Sequence, residues 1–209
     1  MALPNDIIIE IFEYLEFPQI LKFQYLSKSL RKLMKEHRWN QIFYHKNLTD
    51  DVLINIIKTW NICKINLSGC CDNLNNKSLK QLGNMEYISL RECYFLFDNI
   101  VEKFKNVKYL DLGGCKNITN KCVKELKNVK ELNLYNCWHI SDNGIKCLKN
   151  IEKLNICGCS NITDDGIIGL KKLKSLDIDK YYYNQCDCPI TDECLGILEK
   201  RGVLITYHL

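Results

Sequence analysis

Pairs of aliphatic residues separated by one polar residue recur at a nearly constant interval from about Ile62 onward. Steps of 22 residues separate the last five pairs, and the step before them is 23. The alternation of apolar and polar positions is typical of a short strand with one buried face. The sequence therefore predicts six strands, built on Ile65/Leu67, Ile88/Leu90, Leu110/Leu112, Leu132/Leu134, Leu154/Ile156 and Leu176/Ile178.

The rest of each unit has helical spacing. Ile145 and Leu148, for example, lie three residues apart, as on one face of a helix. A Ser or Thr precedes each such stretch and can accept from free backbone N–H groups of the first turn; these predicted N-caps are Thr119, Ser141, Thr163 and Thr191. Since one strand–loop–helix coil cannot bury its own aliphatic edge, we expect the coils to stack, with parallel strands on the concave side and helices on the convex side.

Cysteines follow the aliphatic pairs and repeat the same interval at Cys71, Cys93, Cys115, Cys137 and Cys159. The chain has 13 cysteines, an odd number that cannot all pair, and no signal-peptide pattern follows Met1. We therefore interpret them as reduced, buried thiols that can donate weakly to neighbouring loop carbonyls.

This unit resembles the cysteine-containing leucine-rich repeat over about residues 48–209. The resemblance implies an α/β fold, a right-handed solenoid of about six repeats, which we place at residues 47–209. Two segments depart from the pattern: Tyr94-Phe95-Leu96-Phe97 replaces the element of Ile, Ser or Thr, and Asp or Asn, and residues 180–188 are inserted after Ile178. Leu204 to Tyr207 is predicted to be a last strand.

Residues 1–46 lack the repeat and predict a small all-α domain. Ile7, Ile8, Ile11, Phe12 and Leu15 mark one amphipathic helix, and a second apolar series follows Pro18. Such a short bundle is marginal alone. We expect it to lean on the first repeat and to cover the edge that the solenoid would otherwise expose.

The string Leu3-Pro4-Asn5-Asp6-Ile7-Ile8 with the helix after it resembles the F-box, although Leu26-Ser27-Lys28 and Leu30 depart from that pattern and Trp39 is the late aromatic that could substitute. An F-box followed by leucine-rich repeats is a known domain order. The resemblance implies docking on the Skp adaptor of a Skp–cullin–F-box (SCF) ubiquitin ligase, through an apolar helix anchor. The implied adaptor-binding residues are Leu3, Pro4, Ile7, Ile8, Ile11 and Leu15. The alternative is a plain helical cap on the solenoid.

Composition and charge limit the kinds of partner and reaction that we expect. The net charge is only +4, and the lysines are scattered among asparagines, so neither nucleic acid nor a membrane is an expected partner. The abundant Asn, Lys and Ile are typical of an AT-rich genome, such as that of a giant virus or a protist.

No nucleophile, base and charge-stabilising group occur together, so we expect no catalysis and no cofactor. Cys157/Cys159 and Cys186/Cys188 are too closely spaced for a zinc ribbon, although a metal or redox role for the second pair is an alternative.

By family analogy, a target protein would bind the concave strand face and its rims. The positions between the buried aliphatic residues are polar or aromatic, a composition suited to recognition. The predicted target-binding residues are Tyr87, Arg91, Tyr109, Asp111, Asn133, Tyr135, Asn155, Asp177 and the inserted Tyr181, Tyr182 and Tyr183. Trp138 and His139 form a weaker second patch.

The sequence thus predicts an intracellular, non-catalytic receptor, in the cytoplasm or nucleus, for an unknown target of SCF-dependent proteasomal degradation, with the Skp adaptor and cullin as partners. One alternative is a scaffold or decoy that binds the adaptor without presenting a target. A further alternative is a repeat protein with no role in ubiquitination.

Overall fold

The computed structural model of the chain describes residues 7–10, 19, 28–39, 42–44, 48–70, 74–104, 106–179 and 189–208. The first elements are α1 (Lys28–Glu36) and two short strands, β1 (Arg38–Trp39) and β2 (Phe43–Tyr44). Residues 7–10 are also helical. None of the helices in these ranges is long and apolar enough to cross a membrane.

The repeats follow with one strand and one short helix each. The helices are α2 (Asp50–Thr59), α3 (Asn76–Leu79), α4 (Asp98–Val101), α5 (Asn120–Val123), α6 (Asp142–Ile145), α7 (Asp164–Ile167) and α8 (Asp192–Lys200), and Lys80–Asn84 forms a 3-10 turn. The strands are β3 (Asn61–Ile62), β4 (Lys64–Asn66), β5 (Tyr87–Ser89), β6 (Tyr109–Asp111), β7 (Glu131–Asn133), β8 (Lys153–Asn155), β9 (Ser175–Asp179) and β10 (Leu204–His208).

Eight strands of the described chain form one parallel sheet, in the order β2, β4, β5, β6, β7, β8, β9, β10. The register aligns equivalent residues of successive repeats, so that Ile88 lies opposite Leu110 and Leu132 opposite Leu154. The six predicted strands and the predicted last strand are all present. Two short strands lie outside the predicted set: β2, which pairs with β4, and β1, which pairs with β3.

The core is a continuous stack of the inward-facing aliphatic residues. Ile65, Ile88, Leu110, Leu132, Leu154 and Leu176 are at most 3% exposed, and one cluster of buried residues runs from Met34 to Val203. Burying each such side chain stabilises the fold by about 1.5–3 kcal/mol. The stack therefore supplies a rigid frame for whatever the outward-facing positions bind.

The first coil is covered by residues that precede the repeats. Met34, Trp39 and Phe43 are buried, and Ile8 and Leu30 pack against the same cluster. The Trp39 indole N–H donates to the Met34 carbonyl at 2.8 Å, so Trp39 holds this junction together. Buried there, Trp39 is not on a surface that could contact an adaptor.

The predicted N-cap residues connect neighbouring repeats, which the sequence analysis did not foresee. The Thr163 backbone N–H and hydroxyl both donate to the Asp142 carboxylate, at 2.8 Å each. The same paired contacts join Thr119 to Asp98 and Thr191 to Asp164. We call these contacts the Asp–Thr clamps.

Capping in the predicted sense occurs at two of the four positions. The side chains of Thr119 and Thr191 accept from a backbone N–H of their own helix, whereas those of Ser141 and Thr163 do not. At Ser141 the clamp partner is Asn120. All four residues occupy the N-cap position, but the predicted side-chain hydrogen bond to the helix is absent at Ser141 and Thr163, so the prediction was wrong for these two.

The cysteine column behaves as predicted where it is described, with one exception. The thiols of Cys115, Cys137 and Cys159 donate to backbone carbonyls of the preceding repeat, at 3.0–3.2 Å. Nine of the ten described cysteines are free. Cys93 is disulfide-bonded, so the prediction of a reduced thiol was wrong there.

Candidate interaction surface

The outward-facing residues of the central strands line a shallow groove of about 230 Å³ on the open face of the sheet. Six predicted target-binding residues meet there: Tyr87, Tyr109, Asp111, Asn133, Asn155 and Asp177. Leu110, Leu132 and Leu154 also line it, as do their polar neighbours Glu131, Lys153 and Ser175. The sequence analysis missed these three polar residues, although each lies a whole number of repeats from Tyr109 and the period alone could have found them.

The amide and carboxylate side chains in this groove already have a structural partner. Asp111 accepts from the Gly113 backbone N–H, and Asn133 accepts from the Tyr135 N–H, both at 2.9 Å. Asn155 makes the equivalent contact with Cys157 at 3.0 Å. These contacts fix the turn after each strand, which explains the Asp or Asn at this position without a ligand.

Charge in the groove is mixed and locally balanced. The Lys153 ammonium lies 2.9 Å from the Glu131 carboxylate, and the His208 ring lies 3.9 Å from Asp177. Burial and, secondarily, the nearby Asp111 carboxylate raise the pKa of Tyr87, which keeps its hydroxyl protonated. The groove is therefore a polar, tyrosine-bearing surface rather than a site for one strongly charged ligand.

The two remaining predicted residues of the described face lie beside the groove. The Arg91 guanidinium stacks over the Tyr135 ring, 5.3 Å from its centroid. Both side chains are exposed, on the loops that leave β5 and β7. Tyr181, Tyr182 and Tyr183 lie outside the described residues.

Lysines that the sequence scatters are brought together on the edge where the strands begin. Lys108, Lys130 and Lys172 line a second hollow, together with a column of asparagines. Acidic residues interleave: Glu86 contacts Arg38 and Lys108, and Glu152 contacts Lys130 and Lys174. Hydrogen bonds from Lys174 and Lys130 hold the pKa of Glu152 at about 2. The positive charges along this edge of the sheet are thus partly neutralised by Glu86 and Glu152.

Buried thiols in this structure are poor nucleophiles. Burial raises the pKa of Cys115, Cys157 and Cys159 to about 12 and that of Cys194 to about 11. Since the thiolate is the reactive form, these sulfurs are inert at neutral pH. Within the described ranges, no three His, Cys, Asp or Glu side chains are grouped as metal ligands. Cys186 and Cys188 lie outside those ranges.

Comparison with solved structures assigns the fold. A chain from the yeast Rad7 and Elc1 complex superposes with a TM-score of 0.61 at 17% identity, over 77% of this chain and 44% of that one. Internalin C2 of Listeria monocytogenes gives a TM-score of 0.55 at 17% identity, over 80% and 70%. These likenesses, with the 22-residue register, show the leucine-rich-repeat fold.

The N-terminal residues have a separate match. Residues 1–42 fit the family model of the F-box domain. The chain thus joins an N-terminal match to the F-box domain to a solenoid of the leucine-rich-repeat fold. A comparison with curated protein sequences found no match. The chain spans less than half the length of the similar chain in the Rad7 and Elc1 complex.

Two of the predicted adaptor-binding residues of the F-box are described. Ile7 is 39% exposed, whereas Ile8 is half-buried and packs against the core. Ile7 therefore presents an apolar side chain to solvent, while Ile8 also holds the domain against the solenoid. Leu3, Pro4, Ile11 and Leu15 lie outside the described residues.

Proposed function

We propose that this chain is the substrate-recognition subunit of an SCF-type ubiquitin ligase, with the F-box binding the Skp adaptor and the solenoid binding a target protein. The observation that carries the proposal is the F-box match at residues 1–42 joined directly to a solenoid with a polar, tyrosine-bearing face. The target would then be marked for degradation by the proteasome, in the cytoplasm or nucleus.

In this role the chain performs no chemistry itself. Its contribution is proximity: holding a target lysine near a charged carrier enzyme raises the effective concentration of the reacting groups. The cullin and its partners would supply the transfer. The buried thiols of Cys115 and Cys159 fit this division of labour, because their raised pKa keeps them from accepting ubiquitin as thiolates.

A similarly folded chain is known in an assembly with another protein. The solved structure that matches over 77% of this chain is a complex of Rad7 and Elc1. That likeness supports, by analogy, a solenoid of this type working as one part of a complex.

The test is direct binding of the purified full chain to a recombinant Skp adaptor. We expect Ile7→Asp to weaken binding at least about tenfold, because a carboxylate would be desolvated in an apolar interface. Val52→Asp is the matched control, since Val52 is a comparably exposed aliphatic residue on α2. Circular dichroism should show both variants folded.

Three results would contradict the proposal. Failure of the wild-type chain to bind the adaptor would leave a repeat protein with a helical cap. Equal loss of binding in both variants would mean that Ile7 is not at the interface. Adaptor binding without ubiquitination of any co-purifying protein in a reconstituted ligase would instead favour the scaffold or decoy.

A further inference from the structure

The loops that follow β5, β6 and β7 expose a group of aromatic and basic side chains, which we call the aromatic rim. It consists of Tyr94, Phe95, Lys116, Tyr135 and Trp138. Phe95 is 64% exposed and Trp138 is 51% exposed, unusually large values for residues of this size. Tyr94, Lys116 and Trp138 each follow the column cysteine of their repeat, so they occupy the same position in three stacked loops.

Lys116 lies between two aromatic rings. Its ammonium is 5.5 Å from the Tyr94 ring centroid and 5.3 Å from that of Trp138. Cation–π contacts of this kind stabilise by about 0.5–1 kcal/mol each at exposed sites. Among the described residues, no carboxylate lies within ion-pair distance of Lys116, so its ammonium can still take an acidic partner.

The backbone of the rim is held in place by side chains of neighbouring repeats. The Asn117 amide donates to the Tyr94 carbonyl, and the Asn161 amide donates to the Trp138 carbonyl at 2.7 Å. Both aromatic side chains therefore project from loops already fixed in the unbound chain. Such preorganisation raises affinity, because less conformational entropy is lost on binding.

Beside the aromatic rim, Phe97 replaces a residue type whose hydroxyl stabilises the start of the helix in the following repeats. Phe97 stands where the next three repeats have Thr119, Ser141 and Thr163, and it makes no side-chain cap to its helix. A phenylalanine also cannot make the hydroxyl contact of an Asp–Thr clamp. Thr119, Ser141 and Thr163 all bond through their hydroxyls to the preceding repeat, and Phe97, whose side chain is exposed, gives up that contact. This exchange favours a binding role over a packing role.

We propose that the aromatic rim docks an extended protein segment in which one Asp or Glu is flanked by apolar side chains. The carboxylate would meet the Lys116 ammonium, and the apolar groups would cover Tyr94 and Phe95 on one side and Trp138 on the other. Buried aromatic residues commonly dominate interface energies. The proposal rests on the solenoid being the target-binding half of the chain and names the kind of segment that it takes.

The surrounding charge favours a peptide over a single-stranded nucleic acid, which aromatic side chains also bind by stacking. Nucleic-acid sites track the phosphates with several cations. Here the Arg91 guanidinium already has the Glu92 carboxylate at 3.6 Å, and Glu92 lies on the same loop as Tyr94. A phosphate chain would therefore lack the several free cations that it needs, whereas a single carboxylate needs only Lys116.

The experiment is selection of random linear peptides, displayed on phage, on the full wild-type chain. Enriched peptides are then synthesised and titrated while tryptophan emission is recorded. Trp39 and Trp60 are buried, so a change in emission reports mainly on Trp138. We expect the enriched peptides to share an Asp or Glu within two positions of an apolar residue, and their binding to shift the emission of Trp138 to shorter wavelength.

Variants test the assigned contacts. Trp138→Ala and Lys116→Glu should each weaken the selected peptides at least about tenfold. Lys116→Glu should bind better when the peptide acid is changed to Lys. Two controls should leave affinity unchanged: Tyr207→Ala, a comparably exposed aromatic on β10, and Lys103→Glu, an exposed lysine on the helix side.

Three outcomes would overturn the proposal: no enriched peptide, enriched peptides without an acidic residue, or affinity insensitive to both rim variants. Tighter binding of an oligothymidylate than of any peptide would also overturn it, in favour of nucleic acid. Adaptor binding is measured on the same preparations. Loss of the peptide result with the adaptor result intact would remove the rim assignment but leave the proposed ligase role.

Discussion

A column of left-handed residues turns the chain after each strand. Gly69, Glu92, Gly114, Asn136 and Gly158 all have positive φ. Any residue other than glycine in this conformation loses about 1–2 kcal/mol, although Asn tolerates it better than most. The Asn136 side chain lies over Gly158 of the next repeat and fills the space that a Cβ would need there. Asn at one turn therefore requires glycine at the next.

Three glycine-to-alanine substitutions separate conformation from crowding. Gly196 lies within α8 with open space around it, so Gly196→Ala should stabilise the chain by about 0.5–1 kcal/mol. Gly202 also has open space but a φ of +82°, so Gly202→Ala should destabilise by about 1–2 kcal/mol. Gly158→Ala adds contact with Asn136 to the same strain and should destabilise most.

Urea unfolding of the three variants gives the order directly. Asn136→Gly should be more favourable in the Gly158→Ala background than in the wild type, and the difference gives the crowding part, because the strain at position 136 itself changes equally in both backgrounds. If Gly158→Ala and Gly202→Ala were equally destabilised, the Asn136 contact would contribute nothing.

At the scale of elements, the Asp–Thr clamps explain why helices of only four residues persist. A single helical turn is not stable alone. In each clamped repeat, one carboxylate fixes the start of the next helix by two hydrogen bonds, as Asp142 does for Thr163. The same contact explains why Gly144 and Gly166 are glycines. A Cβ at either position would press against the clamp side chain of the preceding repeat.

Asp142→Ala should destabilise the chain by about 1–3 kcal/mol, because it leaves a partly buried N–H and hydroxyl of Thr163 without their acceptor. Asp142→Asn should be much milder. The chain itself contains that arrangement, since Asn120 accepts from the Ser141 N–H and donates to the Ser141 hydroxyl. Chemical denaturation of both variants distinguishes them. Equal loss would show that the negative charge, rather than the geometry, stabilises the junction.

Sequence periodicity reveals elements that repeat and misses contacts between repeats. The spacing of Leu110, Leu132 and Leu154 was enough to predict their strands. β2 escaped because Phe43-Tyr44 precedes the first full unit and pairs with β4 only through tertiary register. The period also places Tyr94, Lys116 and Trp138 in equivalent positions of neighbouring loops, but only the structure shows that the Lys116 ammonium lies over both rings.

For the whole molecule, stability depends on closing the exposed end of the stack. Trp39 is 1% exposed and bonds to the Met34 carbonyl, and its own carbonyl accepts from the Cys63 thiol at 3.1 Å. Trp39→Ala should therefore destabilise the full chain by about 3–5 kcal/mol. Trp39→Phe keeps most of the volume and should lose less. Amide hydrogen exchange should locate the loss first in β3 and β4, and uniform loss along the solenoid would show that the repeats unfold as one unit.

The column of buried thiols makes the solenoid sensitive to alkaline pH. In the folded chain burial raises the pKa of Cys115 and Cys159 from 9.0 to about 12. A raised folded pKa means that the stabilisation is fully present below pH 9.0 and is lost as the pH rises toward about 12, because the unfolded chain then releases protons that the folded chain keeps. The melting temperature in oxygen-free buffer should therefore fall steadily across this window.

Cys159→Ala provides the matched comparison, since alanine cannot ionise. The variant should be less stable than wild type at neutral pH, because it loses the thiol contact with the Leu134 carbonyl and some buried volume. Its melting temperature should nevertheless fall less steeply above pH 9.0, so the two curves converge. Parallel curves would assign the alkaline loss of stability to lysines such as Lys130 and Lys153. Hydrogen bonds and ion pairs with Glu152 and Glu131 raise the pKa of these lysines, so their contribution to stability is also lost as the pH rises.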